Sequence, residues 1–379
     1  MAVMLRALST AVPPTILYQD QVRDVFAAQP DLSRLAQRLV TTSFNLSGID
    51  TRHTVIEELT LEADGGAPRF FDATSQRLLV PGTRVRNELY ITEATKLFVE
   101  AGRRALAACP GIDAADVTHV ITVSCTGFYA PGPDYMLVRE LGLSPATQRY
   151  HLGFMGCYAS MPALRTAKQF VEADPDAVVL VVSAELCTLH LRTSNDPDAI
   201  VASSLFADGA AAGIVSARPL QAGEVGLQLD SFGTVITPVG EGDMAWKIGD
   251  EGFEMVLSSY VPHIIDEHIE DALAPLFAGD PELAESRSSP NIDIAHWAIH
   301  PGGRSILDKT EAKLSLSGAQ LAPSRETLRN YGNMSSATVL FVLKAIVEGT
   351  DTTAHQRVCA MAFGPGLTVE SGLMTIAVG

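Results

Sequence analysis

The sequence predicts an α/β chain built on a largely parallel, buried sheet with helices packed on its faces. Three observations predict it. Apolar, β-branched runs recur along the chain, each ends in a glycine-containing turn or passes into a helix-spaced pattern, and strands alternating with helices are what parallel pairing through crossover connections requires.

Taken in order, residues 117–124 are the first such run and end in the turn Cys125-Thr126-Gly127. Leu164, Ala167, Phe170 and Val171 recur at helical spacing and predict a helix ahead of the strand at 177–183. Residues 292–299 read as a further strand running into His300-Pro301-Gly302-Gly303, and 358–363 as the last, closed by Gly364-Pro365-Gly366. Between them, Leu340, Leu343, Ile346 and Val347 predict a second helix. Residues 275–291 are poor in core side chains and rich in Pro, Ser and charge, which predicts an exposed loop. The two halves of the chain share this rhythm of strand, turn and helix.

Composition narrows the function classes. With 379 residues, 47% of them hydrophobic, the chain can bury a large core as one big or two fused domains. Acidic residues number 44 against 27 basic ones, and a net charge of -17 repels polyphosphate surfaces, so nucleic acid and anionic membranes are excluded as partners. No apolar run approaches the ~18 residues of a membrane span. The opening residues 1–8, with Pro13 and Pro14 close behind, lack the apolar length of a signal peptide, and a cytoplasmic protein is expected. The cysteines, five in number and scattered through apolar segments, point to reduced thiols rather than a disulfide framework.

Three motifs carry reactive groups, each with a plainer alternative. In Gly153-Phe154-Met155-Gly156-Cys157-Tyr158-Ala159-Ser160 a cysteine precedes a helix-forming run, where unpaired N–H groups and the helix dipole stabilise thiolate; the alternative is a buried core cysteine. Pro162 costs a helical hydrogen bond if the helix starts at Cys157, and fits the first turn if Ser160 is the cap. His300 stands where an apolar strand meets a sharp turn, either projecting into a cleft or simply satisfied at the strand end. Asn333, in Tyr331-Gly332-Asn333-Met334-Ser335-Ser336-Ala337, lies just ahead of a helix and is either a site residue or an ordinary N-cap.

Together with Ala130-Pro131-Gly132-Pro133-Asp134-Tyr135, Leu205-Phe206-Ala207-Asp208-Gly209-Ala210 and Phe363-Gly364-Pro365-Gly366-Leu367, these ordered motifs resemble the chalcone synthase family, the type III polyketide synthases, and lie closer to bacterial members. The similarity spans the chain from Ala11-Val12-Pro13-Pro14 to Gly366-Leu367-Thr368-Val369-Glu370. The resemblance implies the five-layered αβαβα thiolase-like fold in two similar halves, 1–220 with the nucleophile and 221–379 with its partners, and a homodimer. It implies Cys157 as nucleophile and His300 and Asn333 as the rest of a triad. The expected activity is decarboxylative condensation of malonyl-CoA onto an acyl-CoA starter, then cyclisation.

The residue types suit that chemistry. A cysteine sulfur is a good nucleophile towards a thioester and a good leaving group in the later condensation. Donors on His300 and Asn333 can hold the enolate oxygen formed when malonyl-CoA loses carbon dioxide, and His300 is expected close enough to Cys157 to form an ion pair. By the resemblance, Phe206 is a gate, Met255 takes the place of a second gating phenylalanine, and Cys125, Cys187, Trp246 and Ser335 shape the cavity. Gly302, Gly303, Gly364 and Pro365 are expected to border the substrate. A soft Met255, with the more apolar Cys125 and Cys187, leans towards a fatty acyl starter and an alkylpyrone or alkylresorcinol product. The basic cluster that holds the CoA phosphates in plant relatives is missing from 40–47, leaving Arg38, Arg52 and Arg304 as candidates.

Cys187-Thr188-Leu189-His190 has the spacing of half a zinc site, with no second half, so no metal is expected. No nucleotide fingerprint occurs, so no cofactor is expected beyond the CoA of the substrates. Two other readings stand beside the first. One is a ketoacyl synthase III-like enzyme fed by an acyl carrier protein; the other is a catalytically silent relative that binds a small hydrophobic ligand or a partner synthase.

Overall fold

Along Val178–Leu186 every side chain is buried, yet successive ones belong to different cores. Val178, Leu180 and Val182 pack in a cluster with residues of the helix Thr83–Ala107, whereas Val179 and Val181 join the helix Ser160–Ala173. A strand apolar on both faces is one covered by helices on both sides. The split recurs in the second half of the chain. Ala298, Val358, Ala360 and Ala362 face the core shared with Ser160–Ala173 and Thr338–Val347, while Trp297, Ile299, Cys359, Met361 and Phe363 pack with residues of Val261–Ala278, Arg304–Leu314 and Gly318–Tyr331. The layers therefore run helix, sheet, helix, sheet, helix, the five-layered order that the resemblance implies, with Ser160–Ala173 and Thr338–Val347 at the centre.

This computed structural model describes residues 1–60, 67–285 and 290–379. Its main sheet joins nine strands in the order His296–Ile299, Arg357–Gly364, Thr368–Val378, Val225–Ile236, Met4–Ala11, Asp208–Ser216, Val178–Leu186, His119–Ser124 and Gln148–Gly153. The halves meet at two paired positions, Met4 with Gln228 and Leu5 with Leu227. In each half a parallel pair is followed by two antiparallel ones. His119–Ser124 and Val178–Leu186 lead to Asp208–Ser216 and Met4–Ala11, just as His296–Ile299 and Arg357–Gly364 lead to Thr368–Val378 and Val225–Ile236.

Two expectations need correction. The sheet is mixed rather than largely parallel: Arg357–Gly364 and Thr368–Val378 are joined by the short turn Pro365–Leu367, too short for a crossover, so they pair antiparallel. The segment 275–291 is not simply a loop. Val261–Ala278 continues through Pro275, and the short helices Pro281–Glu285 and Pro290–Asp293 occupy much of the rest, with 286–289 outside the described residues. All five cysteines are free thiols, and among the described residues no helix is long and apolar enough to cross a membrane.

Candidate active site

Cys157 lies three residues ahead of the central helix Ser160–Ala173, which is capped by Ala159 rather than by Ser160. Pro162 falls in the first turn, where helical N–H groups have no partner in any case. The loop before the helix is shaped by Gly156, at φ 82°, where a Cβ would come within 2.4 Å of Pro365 Cδ. A Cβ on Gly364 would likewise meet the Tyr158 ring at 2.4 Å. The glycine-rich turn of the last hairpin thus packs directly on the nucleophile loop.

His300 follows the strand His296–Ile299, and Gly302 N donates to His300 O at 2.9 Å across a tight turn. Asn333 is not a helix N-cap. Its Oδ1 accepts from Ser335 N (2.8 Å) and its Nδ2 donates to Gly302 O (3.2 Å), which ties it to the histidine turn. Its backbone is also bonded on both sides of Phe206, with Asn333 N donating to Leu205 O and Ala207 N to Asn333 O, each at 2.9 Å. The second central helix, Thr338–Val347, begins just downstream.

Cys157, His300 and Asn333 line one apolar cavity, together with Cys125, Phe206, Trp246, Met255, Ser335, Gly302 and Pro365. Burial pushes the Cys157 thiol up to about 11; the Ser335 hydroxyl and the Asn333 amide pull the other way, while the charge of Glu185 adds to the rise. Burial also pushes His300 down to about 3, and among the described residues neither of its ring nitrogens has a hydrogen-bond partner. Among the described residues no hydrogen bond joins Cys157 to His300, and desolvation disfavours the charged form of each, which works against the expected thiolate–imidazolium pair. Whichever of these two buried nitrogens carries the proton is a donor that an incoming carbonyl oxygen could accept from.

The remaining candidates divide. Trp246 Nε1 donates to Cys125 O at 2.8 Å, and Trp246 sits directly across from Met255 in the hairpin Met244–Gly249/Gly252–Leu257. Cys125 Sγ lies 3.4 Å from Ser335 Oγ. Cys187 faces a neighbouring cavity that shares Phe206, Trp246 and Met255 with the first. Gly303 caps the helix Arg304–Leu314 and packs near Leu205 rather than on the cavity. Arg304 also points away from it, towards a surface depression of about 310 Å³ that it borders with Arg325 and Arg329. Arg38 is exposed on the helix Arg34–Leu46. Arg52 is 0% exposed, so it cannot reach a CoA phosphate.

Sequence reasoning missed Glu185. It is fully buried, and its Oε2 accepts from Cys125 N (2.9 Å), Thr126 Oγ1 (2.9 Å) and Ser124 Oγ (3.2 Å), while Ser336 Oγ donates to Oε1. Burial raises its pKa against those bonds. Its one signal was a lone acid inside the apolar run that forms Val178–Leu186. His190, the other part of the rejected metal motif, spends both nitrogens within the protein, on Thr126 O at 2.8 Å and Phe253 N at 3.0 Å.

Comparison with known proteins matches both halves of the chain to one family. Residues 1–219 match the family description "Chalcone and stilbene synthases, N-terminal domain", and 228–377 match the corresponding C-terminal domain. The chain is 32% identical to "Type III polyketide synthase 10" of Oryza sativa subsp. japonica, over 96% of this chain and 90% of that protein. It is also 32% identical to "Alpha-pyrone synthesis polyketide synthase-like Pks18" of Mycobacterium tuberculosis, over 98% of this chain and 91% of the relative. Among solved structures it superposes on PKS-I from the brown alga Ectocarpus siliculosus with a TM-score of 0.89 at 27% identity, covering 99% and 98% of the two chains.

Proposed function

The chain belongs to the chalcone and stilbene synthase family and is a type III polyketide synthase, a condensing acyltransferase, and from that premise we propose that it extends a fatty acyl-CoA starter with malonyl-CoA and closes the product to a pyrone or resorcinol. The observation that carries the reading is the convergence of Cys157, His300 and Asn333, from three separate segments, on one apolar cavity.

In this reading the Cys157 sulfur attacks the starter thioester as His300 takes the thiol proton, and the imidazolium then hands that proton to the CoA sulfur as it leaves, which returns His300 to its neutral form. Malonyl-CoA then loses carbon dioxide, and the charge that moves onto its thioester oxygen is held by two donors. One is a neutral His300 imidazole carrying its proton on Nε2; the other is the Asn333 N–H not given to Gly302. The enolate carbon attacks the acyl group on Cys157 and the sulfur leaves. No step calls for a metal or a cofactor beyond CoA.

The fatty starter is supported by the apolar walls, where flexible Met255 and the thiols Cys125 and Cys187 adapt to an alkyl chain. Arg304, with Arg325 and Arg329 around the outer depression, is the proposed seat of the CoA phosphates. Arg325 is paired with Asp308 and Glu311, and Arg304 Nε lies 3.5 Å from Asp308, so these arginines would exchange partners on binding. We place the enzyme in the cytoplasm as a homodimer formed along Gln148–Gly153, whose outer edge pairs with no strand among the described residues and is flanked by the exposed rings of Phe128, Tyr135 and Tyr150.

Incubation with malonyl-CoA and a panel of acyl-CoA starters, without carrier protein, tests the proposal. Mass spectrometry should show pyrone or resorcinol products, with long acyl starters preferred. Turnover only from a carrier-bound extender, or none at all, would remove it.

A further inference from the structure

Arg52 sits on the short strand Thr51–Thr54 with no exposed surface, and its Nη1 donates to two carbonyls at once, Phe206 O at 2.7 Å and Ser203 O at 3.0 Å. Those carbonyls close the helix Pro197–Leu205, where the last C=O groups lack helical partners and a cation is favoured. The aliphatic part of the same side chain lies under Gly332: a Cβ there would come 2.8 Å from Arg52 Cγ and 3.0 Å from Leu205 O. The guanidinium stacks over Phe44, 5.6 Å from the ring centre. Its Nε and Nη2 are buried without partners among the described residues, a costly arrangement for a residue that only fills space.

The segment that Arg52 holds also carries two cavity residues. Phe206 lines the cavity directly, and the residues on either side of it make the two backbone bonds to Asn333. Gly332, pressed between Arg52 and Leu205 at φ 70°, immediately precedes Asn333. We propose that Arg52 is a positioning residue for the condensation: clamped to the Ser203 and Phe206 carbonyls and seated under Gly332, it fixes Phe206 and Asn333 relative to each other and so sets where the Asn333 amide meets the thioester oxygen. This rests on the reading of Asn333 as an enolate donor.

The test measures carbon dioxide release from malonyl-CoA per acylatable site, with sites counted by mass spectrometry after starter loading, so that misfolded molecules drop out of the rate. Arg52→Met, which keeps the bulk and loses the donors, should lower the rate per site at least tenfold, and Arg52→Lys should recover part of it. If the methionine variant does not fold, the lysine variant carries the test, with a loss of about fivefold per site expected from replacing a planar fork by a point charge. An unchanged rate per site, with only the number of sites reduced, would make Arg52 structural and overturn the proposal. Asn333→Ala serves as the control. If it leaves decarboxylation unchanged, the reading of Asn333 has failed, and that failure is distinct from one in Arg52.

Discussion

Desolvation sets the resting state of the candidate triad. Burial in an apolar cavity disfavours the charged forms of Cys157 and His300, and the groups that favour thiolate, Ser335 first and then Asn333, work against it. Ser335→Ala is therefore expected to raise the thiol pKa further and to slow alkylation of Cys157 by iodoacetamide several-fold at pH 8; an unchanged or faster rate would contradict this. A second expectation concerns His190, which burial pushes from the usual 6.5 to about 3. Its folded pKa is depressed, so the unfolded ring takes up a proton first, and stability is lost as pH falls below about 6.5. In urea unfolding, the advantage of wild type over His190→Asn should shrink by about 1.4 kcal/mol per pH unit below that point; a difference independent of pH would count against a buried neutral ring. At this scale the sequence was legible where a motif marked the residue. Cys157, His300 and Asn333 each stand in a sharp glycine-bearing turn, whereas Glu185 and Arg52 were not legible, since nothing local shows that a charged side chain is fully buried.

Among the elements, the walls of the cavity come from a feature that periodicity did not reveal. The hairpin Met244–Gly249/Gly252–Leu257 forms a separate two-stranded sheet, and its residues Met244, Ala245, Trp246, Met255 and Leu257 close one side of the site. Met255 also borders the neighbouring cavity next to Cys187. A rigid ring at this shared wall should narrow the way between the two cavities. Met255→Phe is expected to lower kcat/KM for long acyl-CoA starters more than for short ones, and an equal effect on both would show that the chain takes another route. The central helices were readable from the spacing of Leu164 and Leu340, because each buries a broad apolar face. Pairing direction was not readable strand by strand. It depends on connection length, and the one available cue, Gly364-Pro365-Gly366 between two apolar runs, is a hairpin signal.

The whole molecule explains why residues so far apart in sequence meet. Strand order repeats in the two halves, and each half supplies one central helix whose N-terminal end adjoins the site, Ser160–Ala173 beyond Cys157 and Thr338–Val347 beyond Asn333. The fold thus gathers the positive ends of two helices where negative charge develops during condensation. The same sheet ends at Gln148–Gly153, only four residues before Cys157, so an interface along this edge would brace the nucleophile loop. Sedimentation velocity at micromolar protein should show a dimer, with Tyr150→Asp shifted towards monomer; a wild-type monomer would contradict the proposed interface.

The central claim is that one sulfur carries the growing acyl chain. Brief incubation with a long-chain acyl-CoA, followed by proteolysis and mass spectrometry, reads that sulfur directly. The acyl mass is expected on the peptide containing Cys157 and nowhere else, and to vanish in Cys157→Ala. An adduct on Cys109, Cys125, Cys187 or Cys359, or one that survives in Cys157→Ala, would contradict the account.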